Sequence, residues 1–380
     1  MSITVISSPG QFTAAYNQIN YLVSSTNAAQ PNFQFLADVY VGGVLESRLV
    51  FPKQPSSSSI QLDISPVIKN YVTHDLSNVY SVINAPNTNS QCDWQIKFGE
   101  VYDVSGIPTT YANLTTAPVA GSNISFNSIF DFEQAVNLSL TPYDCPTFGF
   151  LTSNPENITI NQGDKLYLSF YDFTDEAQFI SISGTEVVLT KNGNYYMYNV
   201  RVGWDELVAL SIDAAILSAG SYTLQLLDGG LSGLGPPITV NLNTCNPKFE
   251  VFRLHWLNQY GGWDSFNFDK ASVDSMGIDR SQFKKILPIG YSIGDRLKSN
   301  FNTRITDKIE LNSNWVSDNM AEWLQSLFQS PLVMLEKSTG LVAVNVLDDS
   351  YTIEKYLNGR QLHNINLSIE YSYNRYRQQL

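Results

Sequence analysis

Three histidines, three cysteines and a few adjacent carboxylates are the residues of this 380-residue chain with types suited to chemistry. His74, His255 and His363 lie far apart, and none belongs to an HExxH helix motif of the kind that binds zinc. Cys92, Cys145 and Cys245 form no CxxC, and no Cys/His cluster has metal-ligand spacing, so no metal site is expected. Their odd number points to buried free thiols and not to a disulfide framework. Asp205-Glu206 and Asp348-Asp349 could supply the two carboxylates of a glycosidase, but any acidic chain contains such neighbours. Asp172–Glu176 (DFTDE) offers oxygens to calcium without the glycine and regular spacing of a dedicated loop. Gly229–Gly235 (GGLSGLG) runs into Pro236-Pro237 and not into a helix, which makes it a loop and not a phosphate cradle. G-x-S-x-G, P-loop and dinucleotide fingerprints are absent. The chain reads as a non-enzyme, with no catalytic, cofactor-binding or metal-binding residues and no cofactor.

What these residues sit on is a β-rich chain. Charged residues make up 15%, below the usual quarter, and Ser, Thr, Asn, Gln, Tyr and Phe take their place. That mixture suits β-sandwiches and protein–protein surfaces. Residues 1–246 carry 7 Lys+Arg against 20 Asp+Glu, a balance of −13, whereas residues 247–380 carry 15 of each. The acidic part would repel a phosphate backbone, so nucleic acid is not an expected partner. It is either a surface that resists self-association or simply a solvated one. The neutral part can pack against its own copies. No apolar run reaches the ~20 residues of a membrane span, and no basic-then-apolar start suggests a signal peptide, so no membrane partner is expected.

Three parts are expected. In residues 1–150, alternation over Phe35–Val41, then Gly42-Gly43, then Val44–Phe51 predicts a hairpin. Further strands are expected at 79–83 and 94–102, with a long loop over 104–126. In residues 154–246, seven or so short strands with a Leu217–Tyr222 segment like a tyrosine corner predict an immunoglobulin-like sandwich, inserted into one body made by the flanking parts. A tight turn is expected at Asn192-Gly193-Asn194. In residues 247–380, Met320, Trp323, Leu324, Leu327 and Phe328 fall on one face of a helix that Ser317 would cap and Pro331 would end. The closing alternation Ile365, Leu367, Ile369, Tyr371, Tyr373 predicts an eleven-residue strand about 36 Å long. A strand that long, with one polar face, suits a sheet shared between subunits, which makes these five residues candidate subunit contacts. The other reading is a long edge strand on its own sheet.

Phe252–Phe268 (FRLHWLNQYGGWDSFNF) is an aromatic strand that breaks at Gly261-Gly262 and restarts. This segment, Tyr16–Gly43 and the block Trp315–Arg375 resemble virion proteins of tailed phages that infect Bacteroidetes, crAss-like phages among them. The resemblance leaves 154–246 uncovered. It implies a virion component of the tail, neck or baseplate, made in the bacterial cytoplasm and assembled in many copies as a ring. It also implies other virion proteins as partners, no turnover, and a tail-tube-like sandwich body with one flanking helix. Another class of function stays open: a receptor-binding module using exposed Tyr195, Tyr196 and Tyr198 to engage a host surface glycan. A tail enzyme degrading polysaccharide is a third.

Overall fold

The computed structural model describes residues 3–376 except 56, 75–83, 87, 109–122, 132–147, 156, 174, 190, 192–195, 245–246, 287–288, 349 and 352–361. The expected strand at 79–83, the turn at 192–194, Tyr195, Cys145, Cys245, Asp349 and most of the 104–126 loop lie outside the described residues. The fold is mainly β, with short helices and one helix of three turns.

The N-terminal part holds two sheets over one core. Ile3–Ser7, Asn20–Ser25 and Ser59–Asp63 form the first. The second runs Phe12–Ala14, Asn123–Phe126, Gln91–Val101, Gln34–Val41 and Val44–Pro52. The Gly42-Gly43 hairpin forms as expected, both glycines at positive φ. Tyr21, Phe35, Trp94 and Phe98 fill the space between the sheets.

The middle part is a two-sheet sandwich. One sheet orders Ile158–Asn161, Gly233–Asn243, Ser221–Leu227, Phe179–Ile182 and Thr185–Val188, its first pair parallel. The other orders Phe148–Phe150, Tyr167–Asp172, Met197–Arg201 and Asn84–Pro86. Buried Tyr222, at the start of its strand, donates its hydroxyl to the Val202 carbonyl at 2.6 Å, which fixes the crossing between the sheets as a tyrosine corner does. Two helices the sequence did not announce, Trp204–Ala209 and Asp213–Ala219, fill that crossing. Each is too short for a 3.6-residue period to show.

The sandwich is not a detachable insert. Its second sheet takes Asn84–Pro86 from the N-terminal part and buries both faces. Leu168, Phe170, Tyr198 and Val200 turn into the sandwich core, and Tyr171 and Met197 turn to a separate cluster with Phe126, Phe130 and Leu151. The outer parts do not share a sheet among the described residues, and each keeps its own core.

The C-terminal part is one sheet, ordered Trp263–Phe268, Phe252–Leu257, Val333–Lys337, Gly340–Val346, His363–Tyr371, Lys298–Val316 and Val273–Lys284. Helix Asp318–Gln329 lies on one face. The Ser317 hydroxyl accepts from the Met320 N–H at 3.2 Å, so the cap is where the sequence put it. Met320, Trp323, Leu324 and Leu327 pack onto Leu254, Trp256, Leu335 and the closing strand.

Candidate assembly interface

The three parts meet at the Gly261-Gly262 corner. The Asn258 side chain builds the turn, its Oδ1 accepting from the N–H groups of Tyr260 and Gly262, both at 3.0 Å. Its Nδ2 donates to the Leu151 carbonyl at 2.7 Å. The Ile129 N–H donates to the Gln259 carbonyl at 2.8 Å, and the Tyr171 hydroxyl to the Tyr260 carbonyl at 2.8 Å. The glycines do more than turn the chain. A Cβ on Gly261 would stand 2.3 Å from the Asn127 carbonyl oxygen, and one on Gly262 2.6 Å from that of Leu151. Beside the turn, Asp264 is buried and accepts from the Thr152 hydroxyl at 2.5 Å and from Trp323 Nε1 at 3.3 Å. Burial outweighs those hydrogen bonds and pushes its carboxyl up to about 6.

A second bridge joins sandwich and C-terminal sheet. Arg253 donates to the Lys165 carbonyl at 2.8 Å, to Asn267 at 2.7 Å and to Ser265 at 2.6 Å, with Asp164 3.5 Å away. His255 Nε2 lies 2.8 Å from Glu336 Oε2. Burial pulls the imidazole below its usual range, so it stands neutral and donates Nε2–H, and its Nδ1 has no hydrogen-bond partner. Burial alone would raise Glu336, but the His255 hydrogen bond and the Arg253 charge outweigh it and hold the carboxyl low. His255 is therefore a core histidine.

The other candidates for chemistry are also spent on structure. Asp172 is buried and paired with Lys191 at 2.7 Å, while Asp175 meets the same ammonium at 2.9 Å, so a lysine stands where calcium would have to. Glu206 pairs with Arg201. Asp348 accepts from the Ser368 N–H at 2.6 Å. Asp228 Oδ1 closes the glycine-rich turn by accepting from Gly230 and Ser232. His363 meets Asp318 at 2.7 Å. Burial raises the Cys92 thiol to about 12, which makes it inert. No group of three potential metal ligands exists among the described residues.

The five residues proposed as subunit contacts divide. Ile365, Leu367 and Ile369 are buried in the chain's own core, and the closing strand sits mid-sheet between Gly340–Val346 and Lys298–Val316. It runs nine residues, His363–Tyr371, and is not an edge. These three side chains cannot meet a second copy while they hold the helix. Tyr371 is half-buried and accepts from Lys337 Nζ at 2.5 Å, which leaves Tyr373 exposed. The glycan-binding tyrosines fare similarly: Tyr198 is buried, and Tyr196 packs with Phe12 and Phe173.

What the sequence reading missed is the most exposed feature. Val273–Lys284 and Lys298–Val316 pair over twelve and nineteen residues. The inner half of the longer strand pairs with the closing strand through Lys308–Val316. Beyond Arg304 the two strands have only each other among the described residues, and they carry the loop 285–297 at their end. Ile286, Ile289 and Ile293 on that loop are essentially fully exposed, and Tyr291, Leu297, Phe283 and Phe301 are exposed with them. Between 280 and 304 stand Arg280, Lys284, Lys285, Arg296, Lys298 and Arg304 against Asp295 alone. The available signal was Ile305, Ile309 and Leu311 alternating with polar residues.

No helix among the described residues is long and apolar enough to cross a membrane. No protein-family model matches the chain, and no curated protein matches it. The crystal structure of dimeric latent PorU from Porphyromonas gingivalis aligns over 90% of this chain and 33% of its own, at 8% identity and a TM-score of 0.19. This chain thus spans about a third of that one, and so loose a likeness carries no argument.

Proposed function

We propose that the chain is a structural component of a tailed-phage virion, present in multiple copies as a ring of the tail, neck or baseplate. The observation that carries this reading is the arm 273–316, a ribbon that exposes three isoleucines at its tip. An apolar patch held out from a domain is a liability for a solitary soluble protein and an asset for one that is covered on assembly. The resemblance of Tyr16–Gly43, Phe252–Phe268 and Trp315–Arg375 to phage virion proteins supports it from the sequence. So does the structural use of the histidines and carboxylates described above, which leaves them engaged in folding contacts. The acidic first two-thirds keeps copies apart in solution until a specific contact forms.

The test is stoichiometry in the particle. Particles purified through a density gradient and quantified by mass spectrometry should contain this chain in a fixed multiple of the portal-ring copy number. Its absence from gradient-purified particles would end the proposal.

A further inference from the structure

We propose that the isoleucine tip of the arm seats in an apolar pocket of a second copy, at the far end of the molecule. The inference rests on the multi-copy reading above and names the partner surface.

The pocket has a volume of about 560 Å³ and opens where the N-terminal part meets the C-terminal sheet. Tyr16, Val72, Ile129, Leu257, Pro331 and Leu332 give it apolar walls, and Tyr16 and Ile129 are themselves about half exposed. Its size is that of sites that take several side chains' worth of apolar matter.

Strand register shows that the tip cannot reach the pocket of its own chain. Trp256 pairs with Val333, Val333 with Val344, and Val344 with Tyr371. Glu370, next to Tyr371, pairs with both Asn345 and Lys308. Lys308 therefore lies nearly level with Val333. From that level the arm runs ten residues to Lys298, about 33 Å at ~3.3 Å per residue. The pocket lies the other way, at Leu257 and Leu332, past the opposite ends of the same strands. The two sites also sit three strand spacings apart across the sheet, about 14 Å. A knob and a hole at opposite ends of one molecule meet only between molecules.

Charge favours the same pairing. The tip region carries six basic residues against one acidic, and the pocket's N-terminal wall belongs to the part that carries −13, with Asp131 in the lining. Opposite fields steer tip to pocket and hold tip from tip. A contact of this kind is heterologous, so it closes into a ring or continues as a filament.

The test mixes two single-substitution proteins, Ile289→Cys and Ile129→Cys, under mild oxidation, with wild-type chain giving the background. Cys92 is buried and does not compete. A disulfide-linked mixed dimer should form at least ten-fold above the Ile289→Cys plus Val188→Cys control, Val188 being exposed on the sandwich edge. The yield should fall as salt rises. Equal yield with the control would overturn the seating, as would linkage of Ile289→Cys only to itself. Binding of wild type, but not Ile289→Asp, to phosphatidylglycerol vesicles without mixed dimers would also overturn it in favour of a lipid surface. If mixed dimers fail while gradient-purified particles still carry the chain at fixed stoichiometry, the seating falls and the virion reading stands.

Discussion

Gly261, at φ +80°, lies against the Asn127 carbonyl so closely that a Cβ would stand 2.3 Å from its oxygen. Two causes thus forbid a side chain there, the left-handed backbone and the approach of a chain segment from another part. Gly261→Ala should cost about 2–4 kcal/mol through strain and displacement of the seam. Thermal melting checks it, and a melting temperature equal to wild type would remove Gly261 from the seam.

Leu327 is buried between the helix and the sheet, so Leu327→Ala should cost about 2–5 kcal/mol by opening a cavity. Leu367 shares that core from the strand side. Leu367→Lys should therefore prevent folding of the C-terminal part and not selectively block assembly. Near-wild-type circular dichroism and melting of Leu367→Lys would contradict the placement.

The helix was legible because its apolar stripe is periodic and its cap and stop are local. The Gly42-Gly43 hairpin was legible for the same reason. The arm was not, because Met276, Ile278 and Phe283 are exposed and its two-stranded part has no buried face to impose alternation. The closing strand's alternation was read correctly as a one-sided strand, but which strands flank it depends on pairing with residues 340–346 and 308–316, which local sequence does not encode. The Gly-Gly corner announced a turn, and its contacts with Asn127 and Leu151, more than 100 residues away, had no sequence signal.

Asp264 gives the seam a pH dependence of definite sign. Its folded pKa of about 6 exceeds the model value of 3.8, so the folded state favours the protonated acid. Stability from this group is full below the unfolded pKa and is lost as pH rises through about 6. Asp264→Asn lacks that loss. Its stability relative to wild type should rise by roughly 2–3 kcal/mol between pH 4 and pH 7. Denaturant melts across that range check it, and parallel curves for the two proteins would contradict it.

Arg253 is the buried cation between Asp164 and Glu336. Arg253→Ala strands those carboxylates in a poorly hydrated site and should cost about 3–5 kcal/mol. Hydrogen exchange should show the loss at strands Tyr167–Asp172 and Val333–Lys337 before the N-terminal sheets. Uniform exchange across the chain would argue against a bridge at this position.

The central claim, assembly through the arm, is tested most directly by the copy number of a tip variant in particles. Ile286→Asp, Ile289→Asp and Ile293→Asp combined change only exposed side chains, so the isolated protein should melt like wild type. Particles produced with this variant as the sole source of the chain should carry it at less than a tenth of the wild-type copy number. Full copy number in particles, with normal infectivity, would contradict the account.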